Sequence, residues 1–146
     1  MPSAETNGSI QKVAVLGAGT MGARLAAHIA NAGFPVLLLD LAPQATADRN
    51  ALASRAVENL KKAKPPAFVD PTVVRNITIG NFDDDLEKLK DCDWILEAVA
   101  ENLDIKRALL DKIAPYVHSS AIVTTNTSGL PVGLIAKDMH GAFGRR

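Results

Sequence analysis

Short runs of consecutive apolar residues alternate along this chain with stretches whose apolar positions recur every three or four residues. The first kind of pattern predicts strands buried on both faces, the second amphipathic helices lying against them. Val13–Leu16 is the first run, and Met21, Leu25, Ala26, Ile29 and Ala32 form the helical stripe that follows it. Gly33 ends that helix, residues 35–39 predict a second buried strand, and Asp40 stands at its carboxyl end. A helix over residues 44–63 follows from Ala45, Leu52, Ala56, Val57 and Leu60, with Pro65 and Pro66 stopping it. Further on, the pattern predicts a helical turn within 69–75, a strand at 76–80 and a short helix over 83–90 with Leu86 and Leu89 inward. Residues 93–99 and 121–125 predict two more strands, on either side of a helix over 105–116 through Ile105, Leu109, Ile113 and Tyr116. Residues 131–139 predict a last helix.

Strands alternating with helices imply an α/β fold, a doubly wound parallel sheet with right-handed crossovers. In that architecture strands one and four lie side by side where the strand order reverses, and ligands bind beyond their carboxyl ends. Three loops are thereby singled out: 17–22, 98–102 and 126–129. The first reads Gly-Ala-Gly-Thr-Met-Gly, the G-x-G-x-x-G pattern of dinucleotide-binding turns. Gly17 makes the tight turn out of the strand, Gly19 lets backbone approach a pyrophosphate, and Gly22 allows close helix–strand packing. The helix beginning there aims its free N–H groups and dipole at the phosphates, worth ~0.3–1 kcal/mol. An acidic residue is expected roughly 20 residues further on, and Asp40 meets that expectation. Its carboxylate accepts ribose hydroxyls and repels the 2′-phosphate of NADP, and no Arg or Lys occurs in 41–48, so NAD is favoured.

Composition narrows the picture. A chain of 146 residues, 47% apolar and 22% charged, is a single globular domain, with residues 12–146 as its body and the polar segment 1–11 as a loose N-terminus. Zero net charge argues against nucleic acid as a partner. The segment 1–11 has no apolar run suited to a secretory signal, and no stretch approaches membrane-spanning length; the expected location is the cytoplasm, with no membrane partner. The one cysteine, Cys92, excludes an internal disulfide, offers no metal-ligand spacing and is expected in the core. Lys61, Lys62 and Lys64 end the second helix, either as a solvated terminus or as a contact for a phosphate-bearing substrate arm. Glu101 and Lys106 fit a solvated pair at a helix start. Ser128 fits a helix N-cap ahead of residues 130–132, and Glu97, nearer its strand, reads as structural.

The segment Trp-Ile-Leu-Glu-Ala-Val-Ala-Glu-Asn-Leu at 94–103, then Lys106, then Thr-Asn-Thr-Ser-Gly at 125–129, resembles the NAD-binding domain of the L-3-hydroxyacyl-CoA dehydrogenases. The glycine turn and the strand ending in Asp40 agree with it, and the resemblance runs over nearly the whole chain from Val13. It implies a Rossmann-type domain of an NAD-dependent oxidoreductase acting on an acyl-CoA substrate in fatty-acid β-oxidation. By resemblance, Gly17, Gly19, Thr20, Met21 and Gly22 form the cofactor turn and Asp40 holds the adenosine ribose. Ala98 and Val99 run along the cofactor as backbone contacts, and Glu101 and Lys106 contact its nicotinamide half. Asn126 and Ser128 then lie by the nicotinamide, with Ser128 hydrogen-bonded to the substrate's 3-oxygen. The family's catalytic His, oriented by a Glu, comes in a His-Phe-Phe-Asn-Pro run that matches none of His28, His118 or His140. The expectation is therefore a domain cut before that strand and before the helical domain through which such enzymes dimerise, binding NAD without turnover on its own. Two alternatives stand beside it: a β-hydroxyacid or 6-phosphogluconate type of NAD(P) dehydrogenase, and a non-catalytic dinucleotide-sensing module.

Overall fold

The computed structural model describes residues 8–137. Five strands, β1 (Val13–Leu16), β2 (Val36–Asp40), β3 (Ile77–Asn81), β4 (Trp94–Glu97) and β5 (Ile122–Thr125), form one sheet in the order β3-β2-β1-β4-β5 with every pairing parallel. β1 lies between β2 and β4, so the strand order reverses there, as the alternating pattern predicts. The same alternation sorts the side chains, because successive residues of a strand face opposite ways. Ala14, Leu16, Leu37, Leu39 and Ile95 pack with Leu109, Leu110 and Ile113 of α3 (Leu103–Ile113). Val13, Val15, Val36, Leu38 and Leu96 pack with Ala26, Ile29 and Ala30 of α1 (Thr20–Asn31) and Val57 of α2 (Ala51–Lys61). Covering both faces is what makes the strands apolar without interruption. A short α4 (Val132–Ile135) adds Ile135 to the α3 side.

Several expectations need correction. α2 begins at Ala51, not at residue 44. The segment before it is held by turn chemistry: the Asp48 side chain accepts the Asn50 N–H at 2.9 Å, Thr46 Oγ1 donates to the Asp48 carbonyl, and Arg49 reaches Asp84 at 2.6 Å. The two local bonds compete with the helix, and together with the long-range Arg49–Asp84 contact they prevail here. Residues 86–91 and 71–76 are 3-10 helices, with Leu86 and Leu89 buried as expected. Met21 and Ala32 do not belong to the packed stripe of α1; its buried face is Gly22, Ala23, Ala26, Ala27, Ile29 and Ala30. Ile105 likewise stays 49% exposed. The last helix closes at Ile135, and the remainder of its predicted span from residue 138, like His140, lies outside the described residues. Residues 1–7 lie outside them as well, while Gln11 and Lys12 are tied down, both N–H groups donating to Asp93. Cys92 is fully buried, which pushes its thiol up to about 11. Among the described residues no helix is long and apolar enough to cross a membrane.

Candidate functional site: a crevice at the carboxyl edge of the sheet

Backbone hydrogen bonds carry the parallel ladder past the strand ends and so align the three loops. Gly17 N–H donates to the Leu39 carbonyl at 2.7 Å, Ala98 N–H to Leu16 at 2.8 Å, and Asn126 N–H to Glu97 at 2.8 Å. Between the loops opens a crevice of about 760 Å3, within the ordinary range of ligand pockets. Its wall contains Gly17, Gly19, Thr20, Met21, Asp40, Ala98, Val99, Glu101, Lys106 and Asn126. Ten residues selected from the sequence thus converge on one cavity.

Each glycine of the turn answers to a different constraint. Gly17 has φ +105°, and a Cβ there would lie 2.6 Å from the Ala98 carbonyl oxygen, so the turn admits only glycine. At Gly22 a Cβ would come within 1.8 Å of the Gly17 carbonyl oxygen; this residue packs behind the turn and does not line the crevice. Gly19 is the N-cap of α1, has φ −71°, and a Cβ there would meet nothing within 4 Å. That open space faces an α1 terminus which no side chain caps and whose first turn holds no acidic residue. A twelve-residue helix with an uncapped, glycine-flanked N-terminus on a crevice fits a diphosphate held by main-chain amides.

Asp40 closes the β2 end of this turn. Its Oδ2 accepts the Ala18 N–H at 2.7 Å and its Oδ1 the Leu41 N–H at 2.6 Å, which fixes the carboxylate against the glycine turn. Each oxygen keeps a further lone pair for a ribose hydroxyl. Beyond Asp40 the wall turns apolar through Leu41, Phe82, Ile105, Ala108 and Leu109, with Lys112 at the rim, paired to Asp83 at 3.0 Å. The sequence motifs missed these residues. Leu109 read only as an inward helix position and Phe82 was not singled out, since no periodicity marks which end of a core side chain borders a cavity.

At the β4–β5 end the expected Glu101–Lys106 pair does not exist. Lys106 is 1% exposed, and its Nζ donates to Glu97 Oε1 at 2.6 Å and to the Val99 carbonyl at 3.0 Å. The ammonium is thereby engaged with Glu97 and the Val99 carbonyl, while part of the side chain lines the crevice. The spacing of nine residues from strand to helix brings Glu97 and Lys106 together; α3 starts at Leu103, capped by the Asn102 side chain, and turns Lys106 inward over the end of β4. Glu101 instead accepts the Thr127 hydroxyl, linking the 98–102 loop to the loop after β5. Ser128 is exposed and does not line the crevice. Nor is it a helix cap, since α4 has Pro131 at its N-cap and no side-chain capping bond. Lys61, Lys62 and Lys64 are absent from the crevice wall. They lie at and just after the C-terminal end of α2, which returns to the amino edge of the sheet, and Lys61 pairs with Glu58 at 2.6 Å. All three are exposed.

Comparison with known proteins agrees with this geometry. Residues 12–143 match the family model described as "3-hydroxyacyl-CoA dehydrogenase, NAD binding domain". A "Probable 3-hydroxyacyl-CoA dehydrogenase" of Deinococcus radiodurans is 50% identical over 137 residues, covering 94% of this chain and 40% of that protein. A Bacillus subtilis protein of the same description is 41% identical over 148 residues, covering 92% of this chain and 19% of its own length. Among solved structures, 3-hydroxybutyryl-CoA dehydrogenase from Escherichia coli K12 superposes with a TM-score of 0.74 at 27% identity, over 92% of this chain and 28% of that one. The chain thus spans less than half the length of these relatives. A glycine turn on an uncapped helix, Asp40 locked beside it and a match over residues 12–143 agree on one assignment: the chain belongs to the NAD-binding domain family of the 3-hydroxyacyl-CoA dehydrogenases.

Proposed function

We propose that this domain supplies the cofactor half of a cytoplasmic enzyme that oxidises L-3-hydroxyacyl-CoA to 3-oxoacyl-CoA in fatty-acid β-oxidation. The observation that carries the reading is the crevice itself, which runs from Asp40 across the glycine turn to Glu101 and Asn126. In this reading Asp40 receives the adenosine ribose, with the adenine against Leu41 and Phe82, and the amides of residues 19–22 receive the diphosphate. The nicotinamide half lies between Ala98, Val99 and Glu101 on one side and Asn126 on the other. Bound NAD supplies the hydride acceptor. The chain's own part is to hold that acceptor and to place Ser128 at the substrate's 3-oxygen, where a hydroxyl donates to the oxygen as charge develops on it. Exposure of Ser128 on the loop after β5 leaves its hydroxyl open to such a ligand. The proton-accepting His with its orienting Glu, and the dimer contact, belong in this reading to the part of the relatives that this chain does not span.

The test uses an enzyme in which this domain is joined to the His-bearing strand and the helical domain. Ser128→Ala is expected to lower turnover of acetoacetyl-CoA by about 10²-fold while NADH affinity stays unchanged. Equal losses in both would remove Ser128 from the substrate's oxygen.

A further inference from the structure

Glu97 lies beneath the β4–β5 end of the crevice, wholly buried and outside its lining. Its two carboxylate oxygens gather groups from three segments. Oε1 accepts Lys106 Nζ of α3 at 2.6 Å and the Val99 N–H of the 98–102 loop at 3.1 Å, and Oε2 accepts the Thr125 hydroxyl of β5. The Thr125 hydroxyl then accepts the Thr127 N–H at 3.2 Å, and the Thr127 hydroxyl donates to Glu101. A chain of hydrogen bonds from Glu97 through Thr125 and Thr127 to Glu101 therefore joins the loop after β4 to the loop after β5. The parallel ladder already holds β4 to β5. An apolar pair would fill the volume of Glu97 and Lys106 without the desolvation cost of two buried charges. What the carboxylate adds is direction, since hydrogen bonds fix angles that apolar contacts leave free.

We infer that Glu97 is a positioning residue for the nicotinamide ring: it sets the two loops relative to each other so that groups from both meet the ring together. The inference rests on the proposed placement of the nicotinamide between these loops. It assigns Glu97 no contact with cofactor or substrate.

The experiment compares NADH with ADP-ribose, which carries the same adenosine, diphosphate and second ribose but lacks the ring. Both are titrated by calorimetry into the wild type, into Glu97→Gln, and into Thr125→Val, which cuts the chain of hydrogen bonds without leaving a buried charge unpaired. The wild type is expected to bind NADH more tightly than ADP-ribose. Each variant is expected to weaken NADH by about tenfold and ADP-ribose by less than about twofold, the loss of one charge-assisted hydrogen bond being expressed only at the ring. Thermal melts identify any variant that does not fold; should Glu97→Gln be one, Thr125→Val decides alone. Folded variants that weaken both ligands equally, or neither, overturn the positioning role and leave a structural one. A wild type that binds both ligands equally shows the ring to lie elsewhere, which overturns the proposed placement and this inference with it.

Discussion

Gly19 and Gly22 stand three residues apart in one turn and are glycine for opposite reasons. A methyl group at Gly22 strikes the Gly17 carbonyl oxygen at 1.8 Å, a backbone atom that cannot yield without opening the turn. Gly22→Ala is therefore expected to cost at least the ~1–3 kcal/mol of ordinary overpacking, seen in urea unfolding. At Gly19 the same methyl group meets nothing, so Gly19→Ala is expected to leave stability within ~0.5 kcal/mol of the wild type. Its effect falls on the ligand: the methyl occupies the space through which backbone approaches the diphosphate, and NADH affinity drops by about tenfold or more. Loss of affinity without loss of stability is the signature to look for. Asp40 combines both kinds of duty. Asp40→Asn keeps one acceptor oxygen and turns an amide NH2 toward the other backbone N–H, against Ala18 or Leu41, at a cost of ~1–3 kcal/mol in stability. It also removes the charge that repels a 2′-phosphate, so the ratio of NADPH to NADH dissociation constants is expected to fall. An unchanged ratio in a folded variant would separate Asp40 from the ribose.

At the scale of elements, β4 and α3 are coupled by the buried Lys106–Glu97 pair, whose side chains are 1% and 0% exposed. Lys106→Met leaves a carboxylate in the core with no counter-charge. Breaking such a pair from one side costs ~3–5 kcal/mol, and the double variant Glu97→Gln/Lys106→Met is expected to recover most of it. Denaturant unfolding of the two variants measures the difference; full loss in both would mean that packing, not charge, holds α3 to the strand. The strands and α1 were legible in the sequence because short apolar runs bounded by turn residues, and a stripe at helical spacing, are local signals. The start of α2 was not legible, because Arg49 and Asn50 are held by Asp84 and Asn81, more than thirty residues distant. The pairing of Lys106 with Glu97 was not legible either. Its partner nine residues earlier becomes a neighbour only when the strand and helix pack.

The molecule as a whole places its one thiol in the core. Cys92 is 0% exposed, and burial raises its titration from 9.0 to about 11. In the unfolded chain the thiol ionises near its ordinary value, so between those two points the folded state binds more protons than the unfolded. By linkage, this group's contribution to stability is fully present below about pH 9 and is lost as pH rises through about 11. Denaturant midpoints measured from pH 8 to 11 are expected to fall for the wild type and to fall less for Cys92→Ala. The wider architecture follows the same economy: a sheet covered by α1 and α2 on one face and α3 on the other has its crevice at the carboxyl edge. β5, at one end of the strand order, remains the least covered strand, with Ile122 46% exposed.

By itself the sequence determined the doubly wound sheet, the glycine turn with Asp40 beside it and the convergence of three loops. These are consequences of local periodicity, of φ values only glycine tolerates and of a topology with one allowed hand. Tertiary structure alone decided which charges meet. It paired Lys106 with Glu97 instead of Glu101, tied Glu101 to Thr127, left Ser128 open to solvent and drew Leu41, Phe82 and Ile105 into the wall. The physical reason is that burial and hydrogen-bond partnership depend on distances between segments far apart in the chain, and no spacing along the sequence encodes those distances.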